Sequence, residues 1–164
     1  MKTLIRFFCV PLLSVVMLSC NDSHFLKNPS YREQVMKDFE QKQKDLPYGD
    51  LFAIVDKEGL TSAEREALIF LYAYMPIGDI TDYSGEYYLE NIRQSEQTRK
   101  EMTWGKEVSD ELYRHFVLPI RVNNENLDDS RKVFYAELKE RVKGLSMKDA
   151  ILEVNHWCHE KVVY

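Results

Sequence analysis

Cysteine is nearly missing from this chain, which holds only Cys9, Cys20 and Cys158 among its 164 residues. That excludes a scaffold stapled by several disulfides. Glycine is scarce too, with six residues, and no GxxxxGK stretch exists to cradle a phosphate. No block of Lys and Arg forms a phosphate-binding stripe, and the net charge is −5, so nucleic acid is not an expected partner. The patterns G-x-S-x-G, H-E-x-x-H and D-x-[DN]-x-[DN]-G are absent, which removes the usual serine-elbow, zinc-protease and calcium-loop signatures. Repeats and low-complexity tracts are also missing, and strand signals are nearly so.

What remains is globular and helical. Hydrophobic residues make up 45% and charged residues 30%, enough to exclude disorder. The length suits one domain or two small ones. Residues 31–144 pattern as a mainly α, irregular multi-helix bundle. Tyr31, Val35, Phe39 and Leu46 recur near helical spacing before Pro47. "DLFAIVDKEG" reads as a short apolar helix stopped by Gly59. Thr61 stands three residues before Glu64, a capping box for a helix that is apolar almost all round from Ala67 to Met75. "GDITDYSG" reads as a loop, followed by a helix with Tyr88, Ile92 and Ser95 inward. Ser109 starts a short helix through Phe116, and Pro119 forces an extended crossing after it. "DSRKVFYAELKERVKG" reads as a strongly amphipathic helix with Gly144 as its stop, and Ser146 with Asp149 boxes the last helix.

The first twenty residues have a different character. Lys2 and Arg6 precede an apolar run from Phe7 to Leu18 that is interrupted by Pro11 and short for a span. This is the pattern of a secretory signal peptide. It ends in Met17-Leu18-Ser19-Cys20, which resembles the lipobox of bacterial lipoproteins. The resemblance implies cleavage before Cys20, with lipid on its sulfur and on the new amino terminus. An ordinary secretory signal with a chance cysteine is the alternative. The expected partition is a signal peptide at 1–19 and a tether at 20–30. Removing 1–19 leaves 20 basic against 27 acidic residues, a charge of −7. So acidic a body is not drawn to anionic lipid by charge, and the acyl chains on Cys20 must do the anchoring. Cys158 would then be the only thiol left, with no disulfide partner.

The richest chemistry lies in "ILEVNHWCHEKVVY", residues 151–164. At about 100° per residue, Met147, Ala150, Ile151, Val154, Trp157, Cys158 and Val162 share one wide face. His159 then sits about 100° and His156 about 160° from Cys158, so neither serves as its base from within the helix. Cys158 is expected to be a small buried hydrophobe. Glu153, His156, His159 and Glu160 occupy the other side. Glu153-x-x-His156 has di-iron spacing, but a second such helix is needed and His115 follows Glu111 in a different register. A solvated or interface-facing polar side is the preferred reading. Tyr72, Tyr74, Tyr83, Tyr87 and Tyr88 could form a sugar-stacking platform but are read as core. Asp79, Asp82 and Glu86 could bind calcium but are read as a solvated loop. No metal or cofactor is expected.

The region from Met102 to Tyr164 resembles the segment that leads into the core domain of bacterial transglutaminase-like lipoproteins. The resemblance extends over about residues 60–164 and is carried by Trp104-Gly105, by Phe116-Val117-Leu118-Pro119-Ile120-Arg121-Val122, by Asn124-Glu125 and by Glu153-Val154-Asn155-His156-Trp157. It implies a helical N-terminal region followed by a papain-like α/β core, with 145–164 as the start of that core. Its nucleophilic Cys, its His and its Asp would lie downstream, and no residue here matches those positions. The chain is therefore expected to be the non-catalytic part of a protein cut short by a premature stop, a frameshift or an incomplete gene. The complete protein would perform thiol-based acyl transfer or amide hydrolysis on a protein or peptide substrate in the cell envelope, anchored at the outer membrane or periplasmic face. The alternative is a stand-alone helical surface lipoprotein that binds a protein or glycan. On the first reading, Ile151, Val154, Trp157 and Val162 lie on the preceding helices or stay exposed as an apolar patch.

Overall fold

The computed structural model describes residues 24–162 apart from 49, 122 and 124. Cys20 and the segment 1–19 lie outside the described residues. Within them the fold is mainly α, with no strand. Helix α1 (Pro29–Asp45) starts where the Asn28 side chain accepts the Tyr31 N–H at 3.1 Å, with proline in the first turn. Its inner face carries Val35 and Phe39. A 3₁₀ turn, Ala53–Asp56, seats Ile54 and Val55 in the core. Helix α2 (Ser62–Tyr74) opens on the complete capping box. Thr61 Oγ1 accepts the Glu64 N–H at 3.1 Å, and Glu64 Oε2 accepts the Thr61 N–H at 2.9 Å. Every residue from Ala67 to Ala73 is buried, so α2 is the central helix.

Helix α3 (Ile77–Asp82) and helix α4 (Gly85–Glu101) follow. On α4, Tyr88, Leu89, Ile92 and Ser95 face α2 and are buried. Together α1, α2, α3 and α4 enclose the main core, closed over by Tyr113 and Leu118. The residues just before α1 belong to it as well. Leu26 is completely buried, and Phe25 meets Phe70 and Tyr113 edge-on at 6.1 Å each. Glu66 ties this entry down by accepting the Leu26 N–H at 2.8 Å and meeting His24 Nδ1 at 2.6 Å. The part of the expected tether that is described is thus seated on the bundle.

After a 3₁₀ turn at Gly105–Glu107, helix α5 (Asp110–Leu112) runs on into a wider π turn, Tyr113–Val117. Gly105 is required there, because a Cβ at this position would fall 1.8 Å from the Arg99 carbonyl oxygen. Helix α6 (Ser130–Val142) and helix α7 (Met147–Lys161) then form a hairpin turned at Gly144, whose φ of 75° suits glycine. Ser146 caps α7 by accepting the Asp149 N–H at 3.2 Å. The hairpin has its own small core of Met102, Val142 and Ala150, with Trp104, Leu145 and Val154 packed on it.

Several expectations need correction. The stretch 78–85 is not all loop: Pro76 accepts the Asp79 and Ile80 N–H groups at 3.1 and 3.4 Å, and burial of Ile80 winds α3. The segment 50–59 holds a 3₁₀ turn rather than a full helix. Leu118 keeps helical backbone despite preceding proline, since its N–H closes the π turn on the Tyr113 carbonyl at 2.8 Å and its side chain is buried. Helix α6 is barely amphipathic in place, burying only Val142 and leaving Val133 and Phe134 half-exposed.

Candidate functional site

The end of α7 does not assemble a catalytic group. Cys158, expected to be buried, is exposed. The reason is a rotation of the buried stripe. Trp157 packs edge-on against Phe134 at 5.0 Å, and its indole N–H donates to Glu137 Oε2 at 3.0 Å. Arg141 of α6 draws in Glu153 at 2.6 Å and Glu160 at 2.7 Å. The Arg141 hydrogen bond holds the Glu160 carboxyl below its ordinary range. These contacts centre α7 on Ala150 and Trp157, so Ile151 (62% exposed), Leu152 (58%) and Val162 (51%) face outward beside Cys158. His156 meets Glu160 at 3.2 Å. Among the described residues no group of three or more His, Cys, Asp and Glu side chains is placed to hold a metal ion, and no helix is long and apolar enough to cross a membrane.

The tyrosines separate into core and rim. Tyr72 and Tyr88 are buried, and burial pushes the Tyr72 hydroxyl up to about 12. Tyr83 and Tyr87 donate to the Leu127 and Asp128 carbonyls at 3.5 and 2.9 Å. Tyr74 is half-exposed and donates to Asp38 Oδ2 at 2.8 Å. Asp79, read as part of a solvated loop, is buried and held by Arg121 through two hydrogen bonds of 2.8 and 3.2 Å. Tyr88 donates to the Asp79 carbonyl at 2.6 Å, and burial, followed by the Asp79 charge, raises its hydroxyl.

These groups line a concavity of about 550 Å³ between the C-terminal half of α2, α3 and the segment 113–121. That volume is ordinary for a small-molecule site. Phe70, Tyr74 and Tyr88 form its aromatic side, while Pro119 and Ile120 close the other. The segment between them is braced at both ends. Arg121 holds Asp79, and Arg131 of α6 donates to the Val117 and Pro119 carbonyls at 2.9 and 3.1 Å. On the far side of this segment a second concavity of about 570 Å³ opens toward α6, bordered by Trp104, Phe116 and Phe134. The motif Phe116 to Arg121 therefore forms the wall between two cavities, and its π turn is of a kind frequent at functional sites. Sequence reasoning quoted Arg121 within that motif but missed its pairing with Asp79, which lies 42 residues away.

Arg114 projects from the π turn into the first cavity. Its guanidinium lies 5.3 Å over the Tyr31 ring, and its Nε is buried with no acceptor among the described residues. His115 beside it packs edge-on against Phe70 at 5.8 Å. Among the described residues the cavity sets the Arg114 cation against aromatic walls and brings together no nucleophile–base pair, an arrangement suited to binding. No family model matches the chain, and neither does any curated protein or solved structure.

Proposed function

We propose that this chain is the helical N-terminal region of a bacterial transglutaminase-like lipoprotein, itself non-catalytic and anchored in the cell envelope by lipid on Cys20. The observation that supports the reading is the uncovered stripe of α7. Met147, Ile151, Cys158 and Val162 recur at helical spacing, and all but the half-buried Met147 are exposed. A stripe of this kind is what a further packed layer covers, and the family resemblance assigns that layer to an α/β core carrying the Cys, His and Asp. Thiol chemistry on amides would belong to that core. The seating of Leu26 bears on the anchor. It lies six positions after Cys20, a reach of at most about 20 Å, so a lipid there holds the bundle against the bilayer.

Sequencing of the gene beyond codon 164 tests the reading. A frame encoding a glycine-flanked Cys, then separated His and Asp, is expected, and the extended protein should protect Ile151 and Val162 from solvent. A downstream region without such a frame contradicts it. Metabolic labelling with a radioactive fatty acid should mark the wild-type chain and not Cys20→Ser. A stand-alone helical lipoprotein that binds a ligand is the second reading, favoured by the Arg114 cavity.

A further inference from the structure

We infer that the cavity beneath the π turn is a binding site for a small monocarboxylate with an aromatic body, held by Arg114. The argument begins with the arginines. Each of the other described arginines donates to a carboxylate or a backbone carbonyl. Among the described residues Arg114 finds neither, and its Nε lies buried without a hydrogen-bond partner there. An arginine Nε buried without an acceptor is an unfavourable arrangement in the empty protein. An anion in the cavity would relieve it, and the planar fork of arginine matches the two oxygens of a carboxylate.

The charge of the ligand follows from the neighbours. Arg121 is not free to add a second cation, since its Nε and Nη2 hold Asp79 and its Nη1 reaches the Glu125 carbonyl at 2.5 Å. Asp79 brings a negative charge to the same cavity. One unpaired cation beside one paired carboxylate fits a single negative charge and disfavours a dianionic phosphate. The body of the ligand follows from the walls. Phe70 and Tyr74 already stand edge-on to each other at 5.2 Å, and Tyr31 carries the guanidinium on its face. An aromatic ring entering beside Ile120 extends that edge-to-face packing and leaves its carboxylate at Arg114. The inference is independent of the transglutaminase-like reading.

Calorimetric titration of the full chain with 3-phenylpropionate and with 3-phenylpropionamide tests it, because the two share the aromatic body and differ only in the head group, a carboxylate against a neutral amide. The acid should bind at least tenfold more tightly than the amide. Arg114→Gln should abolish that preference with the helical circular dichroism unchanged. Equal affinity for acid and amide in the unaltered protein would overturn the inference, as would no binding of the acid at millimolar concentration. Retention of the preference in a folded Arg114→Gln chain would overturn it too. The acid–amide comparison on the wild type decides the matter even where a variant fails to fold.

Discussion

Around α2 and α4 the chain buries Leu68, Tyr72, Leu89 and Ile92 from every side, whereas around α6 and α7 it buries Val142, Ala150 and Trp157 and few others. The first region is bound by apolar area, which stabilises by about 25 cal/mol per Å² removed from water. The second is bound along a polar seam of Arg141 with Glu153 and Glu160, and of Lys161 with Glu137 at 2.7 Å. Exposed ion pairs of this kind contribute little each. The hairpin is therefore a less stable layer laid against a firm core, with one large apolar residue, Trp157, fastening it. A region built in this way opens locally at lower cost than the whole chain unfolds. It also leaves Ile151 and Leu152 outside in the middle of its last helix, whereas the exposed Tyr74 and Ile77 of the first region sit at helix ends.

Substitutions can sharpen or break that contrast. Leu68→Ala should have the largest effect, about 2–5 kcal/mol, and act on the whole chain. Its urea midpoint should fall with the slope unchanged. Gly105→Ala comes next, at about 3 kcal/mol, because its Cβ meets backbone at Arg99 and the turn that joins the two regions must shift. Thermal melting measures it. Trp157→Ala should cost about 2 kcal/mol within the hairpin alone. Amides of α7 should then exchange faster while those of α2 keep their protection; equal acceleration in both helices would merge the two regions.

Acid separates them less. Burial pushes Glu64 up, but its hydrogen bonds with Arg93 and Thr61 outweigh burial and hold the carboxyl below its ordinary 4.5. Its stabilisation is therefore fully present above about pH 4.5 and is lost as pH falls through the lower folded value. Glu64→Gln should flatten the acid limb of a stability–pH curve. The smallest effect belongs to Ile151→Ser, within about 0.5 kcal/mol in this chain, since the side chain is already exposed. A large loss on denaturant titration would mean that Ile151 is covered.

Legibility in the sequence followed the same division. The capping box of Thr61 and Glu64, the all-round apolar run of α2 and the inward Tyr88, Ile92 and Ser95 are local patterns, and the main core honours them. The hairpin is governed by choices that spacing does not contain. A helical wheel gives the width of the apolar face of α7 but not which part of it α6 covers. Arg141 and Trp157 decide that, and they leave Cys158 outside. The binding cavity was hidden for a similar reason. Asp79 and Arg121 meet across 42 residues, and the isolation of Arg114 is a property of what surrounds it rather than of any motif. The short helix α3 exists because Ile80 finds a place in the core.

Native-state hydrogen exchange on the full chain tests the two-layer construction most directly. Amides in the middle of α2 and α4 should exchange only through global unfolding, with the same dependence on denaturant as the whole chain. Those of α7 between Ala150 and Trp157 should exchange through a smaller opening, with a weaker dependence on denaturant than the whole chain shows. Protection of α7 equal to that of α2, lost in the same global step, would contradict a separately opening hairpin and its uncovered outer face.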